Sequence, residues 1–338
     1  MATIKDIAEK TGLGLATISK YLNGGNVLEK NRIAIEQAIK ELNFTVNEFA
    51  RGLKTNRSKT IGVVIPQLNN VFMTSIITVI EEKLRSRGYA IMVCDSTKSE
   101  EREKEIIQFL MNKMVDGLII LPTANTCKGL ELAFQKKVPV VLIDRMVENI
   151  EDKVDAVIVD NFKAAYDSTT YLINHGHKKI GLIIGPEDIY VPKKRKEGYE
   201  KALADNHIEV DKSLIICSDF TIQGGYNGMM KLLDNKEKVS AVFVTNYEMT
   251  LGCILALNDS NMEYPEEMSV IGFDNLQLAK ALRPRLTIVT QPWEEIGKRA
   301  AMLLLKRMES EDKASIGVQT ITLEANLEKG QSVARVEQ

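Results

Sequence analysis

The sequence predicts an α/β protein: an N-terminal all-α head, then a two-lobed core of parallel sheets. Three observations carry that expectation. From Ile61 onward, ten short apolar runs alternate with amphipathic helical stretches, the pattern of βα units whose strands are covered on both faces. Ile61-Gly62-Val63-Val64-Ile65 and Ile180-Gly181-Leu182-Ile183-Ile184 open two comparable series, so one lobe architecture is used twice. The N-terminal stretch carries three short helix patterns punctuated by glycine. At 338 residues the chain is also longer than one compact core usually serves.

The head reads from its punctuation. Thr3 followed three residues later by Asp6 marks a helix start, with Ile4, Ile7 and Ala8 on one face. Gly12 and Gly14 end that helix in a short turn. A second helix runs from about Leu15 to Leu22, with Ile18, Tyr21 and Leu22 inward and Ala16, Thr17, Ser19 and Lys20 outward, until Asn23-Gly24-Gly25 stops it. A third, about Lys30 to Leu42, is expected to bury Ile33, Ala34, Ala38 and Leu42. Two short helices around a Gly turn, braced by a third, describe a helix-turn-helix unit or any small three-helix bundle.

In the core, the expected strands lie at 61–66, 90–95, 116–122, 139–144, 156–160, 179–185, 214–219, 241–246, 269–274 and 286–291. Many end in a polar residue: Asp95, Asp144, Asp160, Asp219, Asn246, Asp274 and Gln291. Ligands of open α/β sheets sit outside strand C-terminal ends, so these groups are candidates for a shared cleft. Solvated loop starts and helix caps are the competing explanation.

Composition bounds the function. Net charge is −2, yet residues 1–59 carry ten Lys/Arg against six Asp/Glu, a modestly basic head on an acidic body. No apolar run approaches the roughly 18–20 residues of a membrane span, and MATIKDIAEK has charges where an export signal would be apolar, so a cytoplasmic protein is expected. Cys94, Cys127, Cys217 and Cys253 lie far apart, which fits reduced thiols rather than a disulfide frame or zinc site. His175 and His177 sit in a Gly turn before a strand, where a structural role is expected. Gly224-Gly225 lacks the lysine of a phosphate loop. No motif for nucleophilic or metal-assisted chemistry is present, so neither an enzyme nor a cofactor is expected.

TIKDIAEKTGLGLATISKYLNG strongly resembles the N-terminal signature of the LacI/GalR family of bacterial transcription regulators, and ELNFTVNEFARGL resembles that family's approach to its hinge helix. Phe44, Val46 and Gly14 stand where the family usually has tyrosine, proline and a serine cap. The resemblance continues through the core, notably in LINHGHKKIGLIIGP and EYPEEMSVIGFDN. It implies a helix-turn-helix domain at 1–45, a hinge at 46–59, and an effector-binding core at 60–338. The core's N-subdomain would be about 60–160 and 291–320, its C-subdomain about 161–290 and 321–338, with crossings near Asn161, Thr290 and Ile321.

For DNA, the resemblance implies base-edge contacts from Leu15, Ala16 and Lys20, of which Lys20 alone can donate to guanine. Thr17, Ser19 and Asn23 suit phosphates. In the hinge, Leu53 matches a leucine that wedges into the minor groove, with Asn47, Arg51 and Lys54 beside it. For the effector, it implies hydrogen bonds from Asp144, Arg195, Asn246 and Asp274, with Arg145 adjacent. Phe72 and Phe220 would pack on the ligand, Met73 replaces a usual aromatic residue, Tyr247 replaces a usual aspartate, and Tyr190 and Val191 fill the loop that tunes ligand choice. Acids, an amide and an arginine around aromatic rings suit a carbohydrate.

The implied protein is a homodimeric repressor of carbohydrate-utilisation genes on near-palindromic operator DNA, with no membrane role. The apolar helix around Ile76, Ile77, Ile80 and Leu84 is a candidate dimer contact or ordinary core. Two alternatives stay open: a purine-responsive repressor, and a catabolite-control-type regulator answering to a phosphorylated carrier protein. The latter uses a Tyr-Asp pair and an arginine where Glu294, Glu295 and Met302 stand here.

Overall fold

The computed structural model describes residues 2–45, 52, 57–236, 238–274, 276–310 and 317–336. The chain divides into two compact units, Met1–Ser58 and Lys59–Gln338.

In the first unit, α1 (Ile4–Thr11) starts where Asp6 reaches back to its cap: the Thr3 N–H donates to Asp6 Oδ2 at 2.6 Å and the Thr3 hydroxyl at 3.0 Å. Those bonds, the backbone one first, hold the Asp6 carboxyl below its ordinary pKa. α2 (Leu15–Leu22) and α3 (Glu29–Glu41) follow, and Ile7, Ile18, Ile35 and Ala38 form the buried centre. The expectation for Ile33 is corrected: it is 53% exposed, and Ile35 takes the core position. The inward stripe of α3 is Ile35, Ala38, Ile39 and Leu42, spaced i, i+3, i+4, i+7, and Ile33 lies off that face. Of the predicted hinge, Asn47, Arg51, Leu53 and Lys54 lie outside the described residues.

The second unit holds two six-stranded sheets of the same strand order. One comprises β1 (Thr60–Ile65), β2 (Ala90–Asp95), β3 (Gly117–Ile120), β4 (Val140–Asp144), β5 (Asp155–Val159) and β11 (Thr320–Leu323) in the order β11-β5-β4-β3-β1-β2. The other comprises β6 (Ile180–Ile184), β7 (Ile215–Cys217), β8 (Ala241–Val244), β9 (Ser269–Phe273), β10 (Thr287–Thr290) and β12 (Asn326–Glu328) in the order β12-β10-β9-β8-β6-β7. Pairing is parallel throughout except for β12, which runs antiparallel to β10.

Alternate residues of each strand feed opposite faces. Ile61, Val63 and Ile65 pack under α4 (Val71–Arg85) and α11 (Trp293–Glu309), while Val64 joins the layer of α5 (Glu100–Asn112) and α6 (Leu130–Gln135). In the second lobe, α7 (Asn161–Asn174) and α8 (Tyr190–Asp205) cover one face, α9 (Ile222–Leu233) and α10 (Tyr247–Asp259) the other. Ile76, Ile77, Ile80 and Leu84 of α4 are buried within their own chain, so core packing accounts for that apolar face and a dimer contact is not needed to cover it.

The chain passes between lobes three times. The first two passages follow β5 and β10. The third falls between Leu323 and Asn326, later than the expected Ile321, because β11 pairs with β5 over Thr320–Leu323. A buried ion pair fixes that return: Arg307 Nη2 donates to Asp155 Oδ1 at 2.7 Å, and the same oxygen accepts Gln319 N–H at 2.8 Å. Among the described residues no helix is long and apolar enough to cross a membrane.

Candidate functional site

The two lobes place acids at equivalent points. Asp144 ends β4, the fourth strand of its lobe, and Asp274 follows β9, the fourth strand of the other. Both sit at positive φ, 71° and 64°, a left-handed conformation uncommon outside glycine, asparagine and aspartate. They face a cavity of about 270 Å³ that residues of both lobes line. Phe72, Met73, Asp144, Arg145, Arg195, Phe220, Asn246 and Asp274 all reach it. Tyr190 and Tyr247 do not. Tyr190 lines a separate hollow with Lys193 and Lys194, its backbone N–H donating to Asn125 Oδ1 at 2.9 Å.

Arg195 is a buried strut of the wall. Its Nε donates to Asn161 Oδ1 at 2.8 Å, its Nη1 donates to the Thr245 carbonyl, and its guanidinium lies 3.6 Å over the Phe273 ring. Burial pulls its pKa down to about 10, so it remains a cation at neutral pH. Asp274 has no cation in hydrogen-bond contact among the described residues; Gln291 Nε2 donates to its Oδ1 at 2.8 Å. Burial pushes the Asp274 carboxyl up to about 6, against the counter-pull of Arg195 and the Gln291 bond. Asp144 differs: Arg145 Nε and Nη2 both donate to its Oδ2, at 3.2 and 3.1 Å.

Asn246 serves two purposes. Its Oδ1 caps α10 by accepting the Met249 N–H at 2.9 Å, and its Nδ2 donates to Glu248 Oε2 at 2.6 Å. Glu248 Oε1 accepts from Asn70 Nδ2, in the other lobe, at 2.7 Å. An Asn70–Glu248–Asn246 bridge therefore spans the cleft on this side, and sequence reasoning missed Asn70 and Glu248 as part of the site. The signal was available for Asn70, which caps α4 two residues before Phe72. For Glu248 the signal was its place two residues after the strand-end amide.

The strand-end polar residues divide, with Asn246 and Asp219 serving both the backbone and the cavity. Asp95 accepts Leu68 and Thr97 N–H groups at 3.0 and 2.7 Å, and Asp160 caps α7 by accepting Lys163 N–H at 2.8 Å, so both are loop and cap residues. Asp144, Asn246, Asp274 and Gln291 face the cavity. Both histidines in the Gly turn serve structure. His175 Nδ1 meets the Tyr171 carbonyl at 2.7 Å, and His177 sits between Ser240 Oγ and the Ala334 carbonyl.

On the head, α2 presents Leu15, 46% exposed, with Ala16 and Lys20 exposed and Thr17 and Ser19 half-buried. Lys20 has no ion pair among the described residues, whereas Lys10 pairs with Glu41 and Arg32 with Glu29 and Glu36. Asn23 turns its Nδ2 back to the Ser19 carbonyl at 2.8 Å. The outward face of α2 is thus apolar at its start and cationic at Lys20.

A helix-turn-helix head joined to a two-lobed core with a ligand-sized cleft defines the class of ligand-controlled regulators. Residues 3–47 match the model of bacterial regulatory proteins of the lacI family, and residues 58–329 match that of periplasmic binding proteins and the sugar binding domain of the LacI family. The transcriptional repressor CytR of Escherichia coli (strain K12) is 34% identical over 322 residues, 93% of this chain and 92% of that protein. Catabolite control protein A of Priestia megaterium is 34% identical over 319 residues, covering 94% and 96%. Among solved structures, the complex of the transcriptional regulator CelR with cellobiose matches with a TM-score of 0.75 at 29% identity, over 98% of this chain and all of that one. The chain belongs to the LacI family of bacterial regulatory proteins and is a transcription regulator, not an enzyme.

Proposed function

We propose that this chain is a cytoplasmic homodimeric repressor of carbohydrate-utilisation genes that binds a near-palindromic operator and is controlled by a small sugar in the cleft. The observation that carries the reading is the cavity itself. Acid, amide and guanidinium groups converge there from both lobes, and Phe72 and Phe220 supply flat apolar faces. Hydrogen-bonding groups match vicinal hydroxyls and the rings match the C–H face of a sugar. At about 270 Å³ the cavity sits near the small end of ligand pockets, about 300–1,000 Å³, which favours a monosaccharide.

In this reading Leu15, Ala16 and Lys20 meet base edges, while Thr17, Ser19 and Asn23 meet phosphates. Leu53 wedges into the central minor groove with Asn47, Arg51 and Lys54 on the backbone. Leu53→Ala then lowers operator affinity at least tenfold while non-specific DNA binding holds, as read by fluorescence anisotropy on both DNAs. Equal loss on both removes the wedge. The carrier-protein alternative is disfavoured because Glu294, Glu295 and Met302 offer no arginine for a phosphate.

The effector is tested by thermal shift against monosaccharides, disaccharides, nucleobases and sugar phosphates, since a ligand that binds the folded state raises Tm by mass action. A monosaccharide hit supports the reading. A nucleobase hit replaces the effector class, and silence across the panel returns the carrier-protein alternative.

A further inference from the structure

Phe220 is held in a conformation a phenylalanine rarely adopts, with φ of 61°. Three neighbours explain how. Asp219 Oδ1 accepts the Thr221 N–H at 3.1 Å and the Thr221 hydroxyl at 2.7 Å, which ties the chain into a tight turn with Phe220 inside it. The hydroxyl oxygen of Thr221 in turn accepts the Gly224 N–H at 2.9 Å and starts α9. Gly224 is where that turn closes: a Cβ there would collide with the Asp219 carboxylate and the Ser218 hydroxyl. On the opposite side the Phe220 ring occupies the space a Cβ on Gly185 would need, at the end of β6. The ring therefore lies against bare backbone, with its turn locked behind it, and forms part of the cavity surface.

We propose that Gly185, Asp219 and Gly224 are positioning residues that fix the Phe220 ring as a rigid platform, and that this platform selects flat-faced, ring-form sugars. Asp219 lines the cavity, but Oδ1 is spent on the turn, so its main effect on a ligand passes through Phe220. A side chain at Gly185 drives the ring off β6 and into the space a ligand would fill. The selectivity part rests on the sugar reading above; the positioning part does not.

The test uses the full chain with 4-fluorophenylalanine at Phe220, and the variants Gly185→Ala, Asp219→Ala and Phe220→Ala. Without ligand, the fluorine resonance of the parent is expected to be sharp and displaced from that of the unfolded chain. Gly185→Ala is expected to move it, and Asp219→Ala, which removes the acceptor of both Thr221 bonds, to shift or broaden it, at unchanged far-ultraviolet circular dichroism. A resonance unmoved by both variants overturns the positioning role. Asp219→Ala adds no atoms to the turn and so keeps the test valid if Gly185→Ala does not fold.

With D-ribose, D-glucose, D-galactose and cellobiose as probes, each single variant is expected to weaken the sugar bound by the parent at least tenfold. Gly185→Ala is expected to add nothing in the Phe220→Ala background. Additive losses overturn the platform as the route of the effect. If the parent binds none of these sugars while the resonance moves as expected, the selectivity claim falls with the sugar reading and the positioning claim stands.

Discussion

The two lobes share a strand order and place an acid after the same strand, yet they treat that acid differently. Asp144 lies beside Arg145 in a buried ion pair, with side chains 7% and 10% exposed. Asp274 is half-buried and, among the described residues, has no cation in hydrogen-bond contact; the Gln291 amide holds it, and desolvation pushes its carboxyl up to about 6. One wall of the cleft is neutralised within its own lobe. The other keeps a carboxylate whose desolvation outweighs the one amide bond it accepts from Gln291. A duplicated fold thus supplies two matching positions that both line the cavity, and their local partners differ: an arginine beside one, an amide beside the other.

The comparison breaks most visibly in stability. Asp144→Ala leaves Arg145 buried without its carboxylate and is expected to cost about 3–5 kcal/mol in urea unfolding. Asp274→Asn removes a desolvated charge with no contacting cation among the described residues and is expected to stabilise the chain at pH 7. A loss of similar size in both variants would erase the distinction drawn between the lobes.

The pH dependence sharpens it. The folded pKa of Asp274, about 6, stands above the ordinary value of about 3.9, so folding takes up a proton between those values. This group's contribution is fully present below about pH 4 and is lost as pH rises through about 6, a change on the order of 3 kcal/mol. Subtracting the Asp274→Asn stability profile from that of the parent should isolate this slope. A flat difference between pH 4 and 7 would show that burial does not perturb Asp274.

The smallest expected effects belong to the two tyrosines outside the cavity. Tyr190→Phe and Tyr247→Phe should each leave sugar affinity within about twofold, the range of substitutions that touch nothing critical. A tenfold loss by titration calorimetry would bring that tyrosine back into the site.

Much of this architecture was legible because parallel strands covered on both faces announce themselves as apolar runs. All ten runs became strands, and Leu15–Leu22 was found by its glycine stops. The edge strands β11 and β12 were not found as strands. Their residues alternate between exposed and half-buried, so Thr320-Ile321-Thr322-Leu323 carries too little apolar signal. Ile33 misled because an apolar residue near a helix start was counted before the periodicity was fixed by Ile35 and Ala38. In the cleft, eight of the ten expected effector residues line the cavity, and these were named from strand ends and family resemblance. Asn70 and Glu248 were not, because their pairing spans the lobes and has no trace in local spacing. Tyr190 and Tyr247 were placed by the family resemblance, and each starts a helix, where adjacent residues point in different directions.

The proposed control by a sugar that Asp274 binds is tested most directly by operator affinity, measured by anisotropy with and without the sugar identified by thermal shift, in the parent and in Asp274→Ala. By linkage, a sugar that controls the regulator must change operator affinity, and DNA must change sugar affinity by the same factor. The account predicts a change of at least tenfold in the parent, none in Asp274→Ala, and equal operator affinity of the two without sugar. A sugar response that survives in Asp274→Ala would contradict it.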